Sequence, residues 1–161
     1  MFDVDLKAHK ATLWDGGDAA FRATNVQDIA AAVASLLTNP DARAIAKNTH
    51  VYISSVETTQ KEILTAGEEA TGTKFEVESV DSEAIFKDAE SRLAGGDFSA
   101  IKTLLTGIAV SKRGLSVFSM EADAGNKLLL DGNGKKTVAE VVQTILDGRG
   151  PRGRVAIQAT K

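Results

Sequence analysis

Cysteine is absent from the 161 residues, and that one absence excludes disulfides, thiolate nucleophiles and zinc sites built on cysteine, while being compatible with a reducing compartment. Proline occurs twice, so no proline-rich linker divides the chain, and there is neither an internal repeat nor a low-complexity block. Histidine also occurs twice, at His9 and His50, each remote in sequence from an acid or nucleophile, with no His-x-x-x-His pair; metal ligation is not expected. An excess of positive charge is missing too. The net charge of -3 gives no field to hold a polyanion, so direct nucleic-acid binding is not expected. The longest near-apolar run, residues 29–37, is about half of what a bilayer-spanning helix needs. The opening residues carry Asp3 and Asp5 within their first apolar stretch, unlike the apolar region of a signal peptide. These features lead to the expectation of a soluble, cytoplasmic protein without a membrane partner.

What is present is an ordinary globular mix, 43% hydrophobic and 25% charged, in a length that suits one domain. Residues 50–77 carry the clearest pattern. Val51, Tyr52 and Ile53 form a short apolar run of β-formers, which predicts a strand covered on both faces. Thr59 with Glu62 is a capping-box pair that opens a helix, Ile63, Ala66, Gly67 and Ala70 recur at helical spacing, and Gly72 supplies the left-handed stop. Phe75 and Val77 then alternate with charged neighbours, as in a half-exposed edge strand.

The same signals lay out the rest. Residues 10–14 predict a strand that Asp15-Gly16-Gly17 turns away from, and Thr24 with Gln27 suggests a second capping box. Val26, Ile29, Ala30, Val33, Leu36 and Leu37 form an apolar stripe stopped by Asn39-Pro40. Asp81 or Ser82 caps a helix with Ile85, Phe86, Ala89 and Leu93 on one face, broken at Gly95-Gly96. Phe98, Ile101, Leu104, Leu105, Ile108 and Ala109 line the next helix. Residues 127–130 fit a strand or a helix end, and Thr137 with Glu140 caps a last helix. The expectation is an α/β fold with a small partial sheet of about three or four strands flanked by helices, one domain over residues 1–148 and a basic Gly/Arg linker-like tail over 149–161. A sheet so narrow leaves its edge exposed, and self-association through the strand after His50 is expected.

Few residues carry chemistry. Gly132 and Gly134 after three leucines resemble a dinucleotide-binding turn, but Thr137 replaces the third glycine and no acid follows about twenty residues on. The acids at Glu68, Glu69, Glu76, Glu78, Asp81 and Glu83 alternate with apolar residues as a solvated face does, and Arg149, Arg152 and Arg154 fit a solvated tail. Phe98, Ile101 and Phe118 are the candidate substrate-binding residues, as walls of an apolar pocket. No catalytic residue is identified, and no cofactor-binding set is present in this sequence.

The order Asp15-Gly-Gly, Ala23-Thr-Asn-Val-Gln-Asp28-Ile-Ala, Val51-Tyr-Ile-Ser-Ser55, Thr59-Gln-Lys-Glu-Ile-Leu64, Ala70-Thr-Gly72, Val80-Asp-Ser-Glu83 and Gly96-Asp-Phe-Ser99 resembles the second half of NmrA-like, isoflavone reductase-like proteins, the atypical short-chain dehydrogenases. The resemblance runs from about Leu6 to about Leu146. It implies the substrate-side part of an NADP(H)-linked reductase acting on a small apolar metabolite, often in secondary metabolism. The family's glycine fingerprint and catalytic lysine have no counterpart here, so NADP(H) is not expected to bind this chain alone. Only the region of Asp97, Phe98 and Ser99 carries over, as the start of a helix near the substrate cleft. The alternatives are a non-catalytic regulatory protein with a protein partner, as NmrA itself is a repressor partner, and a cofactor-free isomerase or cyclase.

Overall fold

The structure, a computed structural model, describes residues 2–113, 119–131 and 136–148. Five short strands and seven helices are described: β1 (Val4–Asp5), β2 (Lys10–Trp14), β3 (Phe21–Ala23), α1 (Val26–Thr38), α2 (Pro40–Ala46), β4 (Val56–Thr58), α3 (Gln60–Thr71), β5 (Glu76–Val80), α4 (Ser82–Ala94), α5 (Ala100–Val110), α6 (Ser119–Leu129) and α7 (Val138–Leu146). They give an α/β architecture with a three-stranded sheet, β1-β2-β5, and a separate antiparallel pair, β3-β4. β2 and β5 run parallel with Lys10 opposite Glu76, and β1 joins β2 antiparallel. No helix among the described residues is long and apolar enough to cross a membrane.

Local chemistry sets most boundaries. Thr59 and Thr137 each complete a capping box, with Glu62 and Glu140 reaching back to the cap backbone, and Gly72 ends α3 at φ 67°. α1 differs from expectation by one residue. Its cap is Asn25, which accepts from the Asp28 N–H, because the Thr24 hydroxyl is spent donating to the Ile53 carbonyl at 3.0 Å. Asn39 ends α1 and caps α2, where Pro40 fills the first turn and needs no donor.

The expected strand at Val51, Tyr52 and Ile53 is absent, and with it the edge on which self-association was expected. The segment's backbone is satisfied by side chains instead. Asn126 of α6 accepts from the Ser54 N–H at 3.0 Å and donates to the Ser54 carbonyl at 2.7 Å, imitating a strand partner. Gly125 lets α6 press against the Tyr52 carbonyl; a Cβ there would collide with it. An apolar run reports coverage, and here helices rather than strands supply it. β5 is an edge strand as expected, but it is exposed along most of its length rather than half-exposed; Phe75, just before it, is buried and Val77 is exposed.

The main core gathers Val4, Leu6, Ala11, Leu13, Trp14, Phe21, Ile63, Phe75, Val110 and Val142, so β1, β2, α3, α5 and α7 share one interior. A smaller cluster of Ala32, Ala42, Leu129 and Leu130 ties α1, α2 and the end of α6 together. Two polar side chains fasten the main core. Gln60, fully buried, accepts from the Trp14 N–H at 2.9 Å and donates to the carbonyls of Phe2 and Thr12 at 2.8 and 3.0 Å. Asp15, at φ 52°, accepts from the N–H groups of Ser82 and Lys112, pinning the start of α4 and the exit of α5 to the end of β2. Burial works to raise the Asp15 pKa, but the two amide donors outweigh it and hold the carboxyl below its ordinary value.

Candidate functional site

The most concentrated polar chemistry lies where β3, β4, α1 and α7 meet. Arg22 and Glu57 stand opposite each other in the β3-β4 ladder, and the guanidinium reaches Glu57 at 2.7 Å, the Ser54 hydroxyl at 3.0 Å and Asp123 at 3.4 Å. Beside it, Asp28 accepts from Lys136 Nζ at 2.8 Å, from the Ser55 hydroxyl at 2.6 Å and from Asn25 Nδ2 at 2.9 Å. Lys136 also donates its backbone N–H to the Ser55 carbonyl at 2.6 Å. Arg22, Ser54, Ser55, Val56, Glu57 and Lys136 line a cleft of about 140 Å³.

Geometry decides what this cluster can do. Ser55 is buried and its oxygen already accepts from the Asn25 N–H at 2.9 Å, so it is not presented to an external carbonyl. Lys136 Nζ is engaged by both carboxylate oxygens of Asp28, at 2.8 and 2.9 Å. At about 140 Å³ the cleft is below the roughly 300 Å³ where small-molecule pockets begin. The arrangement is an electrostatic latch between α1, β4 and the start of α7. Burial raises the Asp28 pKa, but Lys136, Ser55 and Asn25 together hold it below the ordinary carboxylate value.

A pH dependence follows from that depression. The folded pKa lies below the unfolded one, so the latch stabilises fully above about pH 4 and is lost as pH falls through the folded value. Asp28→Asn is expected to cost about 1 kcal/mol at pH 7, the scale of a partly exposed ion pair, and the difference from the parent to shrink as the pH falls below about 4. Melting temperatures of both proteins between pH 7 and 3 check this; parallel curves would exclude the latch.

The residues expected to bind substrate sit elsewhere. Phe98, on the turn just before α5, is 73% exposed, and Ile101 is 41% exposed on the outer face of α5 with Leu105, 62% exposed, and Ile108, 37% exposed. The inner face of α5 is instead Ala100, Gly107 and Val110. A Cβ on Gly107 would lie 2.7 Å from both the Phe86 and Trp14 rings, so the helix packs through its small residues and its large ones point away. Phe98 is displayed on a braced turn. Asp97 accepts from the Ser99 hydroxyl at 2.6 Å, from Arg92 at 2.7 Å and from the Ser99 N–H at 3.0 Å, and these contacts lower its pKa to about 2.

Phe118, Gly132, Gly134, Arg149, Arg152 and Arg154, like the tail over 149–161, lie outside the described residues. His9 is half-buried with its ring 5.2 Å from that of Phe75, and His50 is exposed. Among the described residues no group of three His, Asp or Glu side chains could hold a metal ion. Sequence reasoning missed the latch because Lys136 and Asp28 lie 108 positions apart. The available signal was Arg22, a charge set between Phe21 and Ala23 in a short apolar stretch. Compared with known proteins, the chain matches no family model, no curated protein and no solved structure.

Proposed function

We propose that this chain is the substrate-side half of an NmrA-like, NADP(H)-linked oxidoreductase acting on a small apolar metabolite, with the dinucleotide-binding half supplied by other sequence. The observation that carries this reading is α1. Val26, Ile29, Val33 and Leu37 are 50, 45, 50 and 70% exposed although Ala32 on the adjoining face is buried, so α1 turns a row of large apolar side chains outward. Helices of that kind belong in interiors, and a further layer over α1 is what a two-part reductase provides. Phe98 and Ile101 then serve as one wall of a substrate cleft whose other wall comes from the second half.

The cofactor is the first test. A dinucleotide needs close backbone approach to its pyrophosphate, a helix N-terminus aimed at it and a side chain for the ribose. Calorimetry of the purified chain with NADPH is expected to show no micromolar binding. When the dinucleotide-binding half of an NmrA-like reductase is added in trans, a complex should form in sedimentation, and Leu37→Glu should prevent it. Saturable micromolar NADPH binding by the chain alone, or no complex with the added half, would sink the proposal. The second reading, a non-catalytic regulatory protein, is favoured by the exposed apolar side chains of Ile101 and Leu105 on the outer face of α5.

A further inference from the structure

The outer face of α5 combines three features that together specify what covers it. Phe98, Ile101, Leu105 and Ile108 follow spacings of three, four and three, the narrow seam of a helix that packs against one other helix. Lys102 lies on the same face, one turn after Phe98 and just under one turn before Leu105; it is exposed and makes no ion pair among the described residues. Lys112, also exposed, follows directly after the Ser111 cap. The charge setting is one-sided: no Asp or Glu occurs between Asp97 and Glu121, in a chain whose net charge is -3. At the head of the seam, the bonds from Arg92 and Ser99 to Asp97 fix the turn that holds Phe98 outward, so little ordering is left for binding to impose.

We propose that this face is a docking surface for an amphipathic helix of a partner protein, with apolar residues at heptad spacing and carboxylates beside them to meet Lys102 and Lys112. A second copy of this chain is a poor occupant. Among the described residues the other helix with a row of exposed apolar side chains, α1, has Asp28 as its only acid, and that carboxylate is committed to Lys136. A membrane surface is also a poor match, since interfacial helices carry many basic residues and this face carries two lysines on an acidic protein. The inference goes beyond the reductase reading: it needs no cofactor, and it assigns the outer face of α5, with Phe98 and Ile101, to a partner helix instead of to a substrate cleft.

The probe is a fluorescein-labelled synthetic peptide about three heptads long, with Leu at the seam positions and Glu beside them, which also keeps it from pairing with itself at neutral pH. Its counterpart carries Lys in place of every Glu. By fluorescence anisotropy at low salt, the full chain is expected to bind the Glu peptide at least tenfold more tightly than the Lys peptide, with the gap narrowing as salt screens the pairs. The double substitution Ile101→Ser, Leu105→Ser should weaken Glu-peptide binding at least tenfold while leaving the melting temperature unchanged, since both side chains are exposed. Lys102→Glu should narrow or reverse the preference. No binding of the Glu peptide, or equal binding of both peptides, overturns the proposal. So does binding only to phosphatidylserine vesicles, or a dimer of the chain that the double substitution dissolves.

Discussion

Gln60→Leu is expected to be among the most damaging single substitutions in this protein, costing about 4 kcal/mol although leucine is apolar and of similar size. The amide serves three backbone groups of the sheet and the N-terminal turn: the Trp14 N–H and the Phe2 and Thr12 carbonyls. Each buried group left without a partner costs about 1–3 kcal/mol, which outweighs the gain from a more apolar side chain. A domain of this size loses roughly 2–4 °C per kcal/mol, so the melting temperature should fall by about 10 °C. Gln60→Glu should not rescue it, because the carboxylate keeps the Trp14 contact but faces two carbonyls with no proton to offer. A loss within about 1 kcal/mol in denaturant titrations would show that the freed groups find other partners.

Gly107→Ala is the second. In an ordinary helix interior, alanine for glycine stabilises by about 1 kcal/mol. Here the sign reverses. The added carbon would lie 2.7 Å from Phe86 Cζ and from Trp14 Cζ3, and 2.9 Å from Phe86 Cε1. Both rings are buried and stand 6.1 Å apart centroid to centroid, and the Trp14 indole N–H is held by Asp3 at 2.9 Å. The rings have nowhere to retreat, so α5 must lift from the sheet. Overpacking of this kind costs about 1–3 kcal/mol, and a net loss near 2 kcal/mol is expected. Calorimetric unfolding measures it, with Gly96→Ala as a comparison: no atom lies within 4 Å of its Cβ position, and only the φ of 88° is unfavourable. Equal melting temperatures for Gly107→Ala and the parent would mean that α5 does not rest on those rings.

Features that depend on neighbours a few residues away were legible in the sequence. The capping boxes at Thr59 and Thr137, the glycine stop at Gly72 and the edge character of β5 are of this kind, because donor, acceptor and breaker sit within one turn. Periodicity found the apolar faces of α1 and α5 but not their direction. Spacing states which side chains share a face, whereas Gly107 and Ala100 decide which face meets the core. Phe98 and Ile101 were expected on one helix; Ile101 lies in α5, whereas Phe98 stands on the turn before it. The long-range polar fasteners were invisible. Gln60 in the first turn of a helix reads as a solvated polar residue, and nothing local indicates that its partner Trp14 lies 46 positions away. Asn126 was hidden in the same way, and its contact with Ser54 turned an expected strand into a segment held by a helix.

The parallel pairing of β2 with β5 also governs how the chain finds its fold. Residues 15–75 intervene between the two strands, so the sheet closes over a long excursion that earns nothing until both ends meet. Topologies dominated by such distant contacts fold slowly, since the entropy of closure precedes the reward. Gln60 divides that excursion. Once its amide is seated on the backbone of β2, only residues 61–75 remain to be closed before β5 can add to the sheet. The side chain that anchors the finished core thus also shortens the search that leads to it.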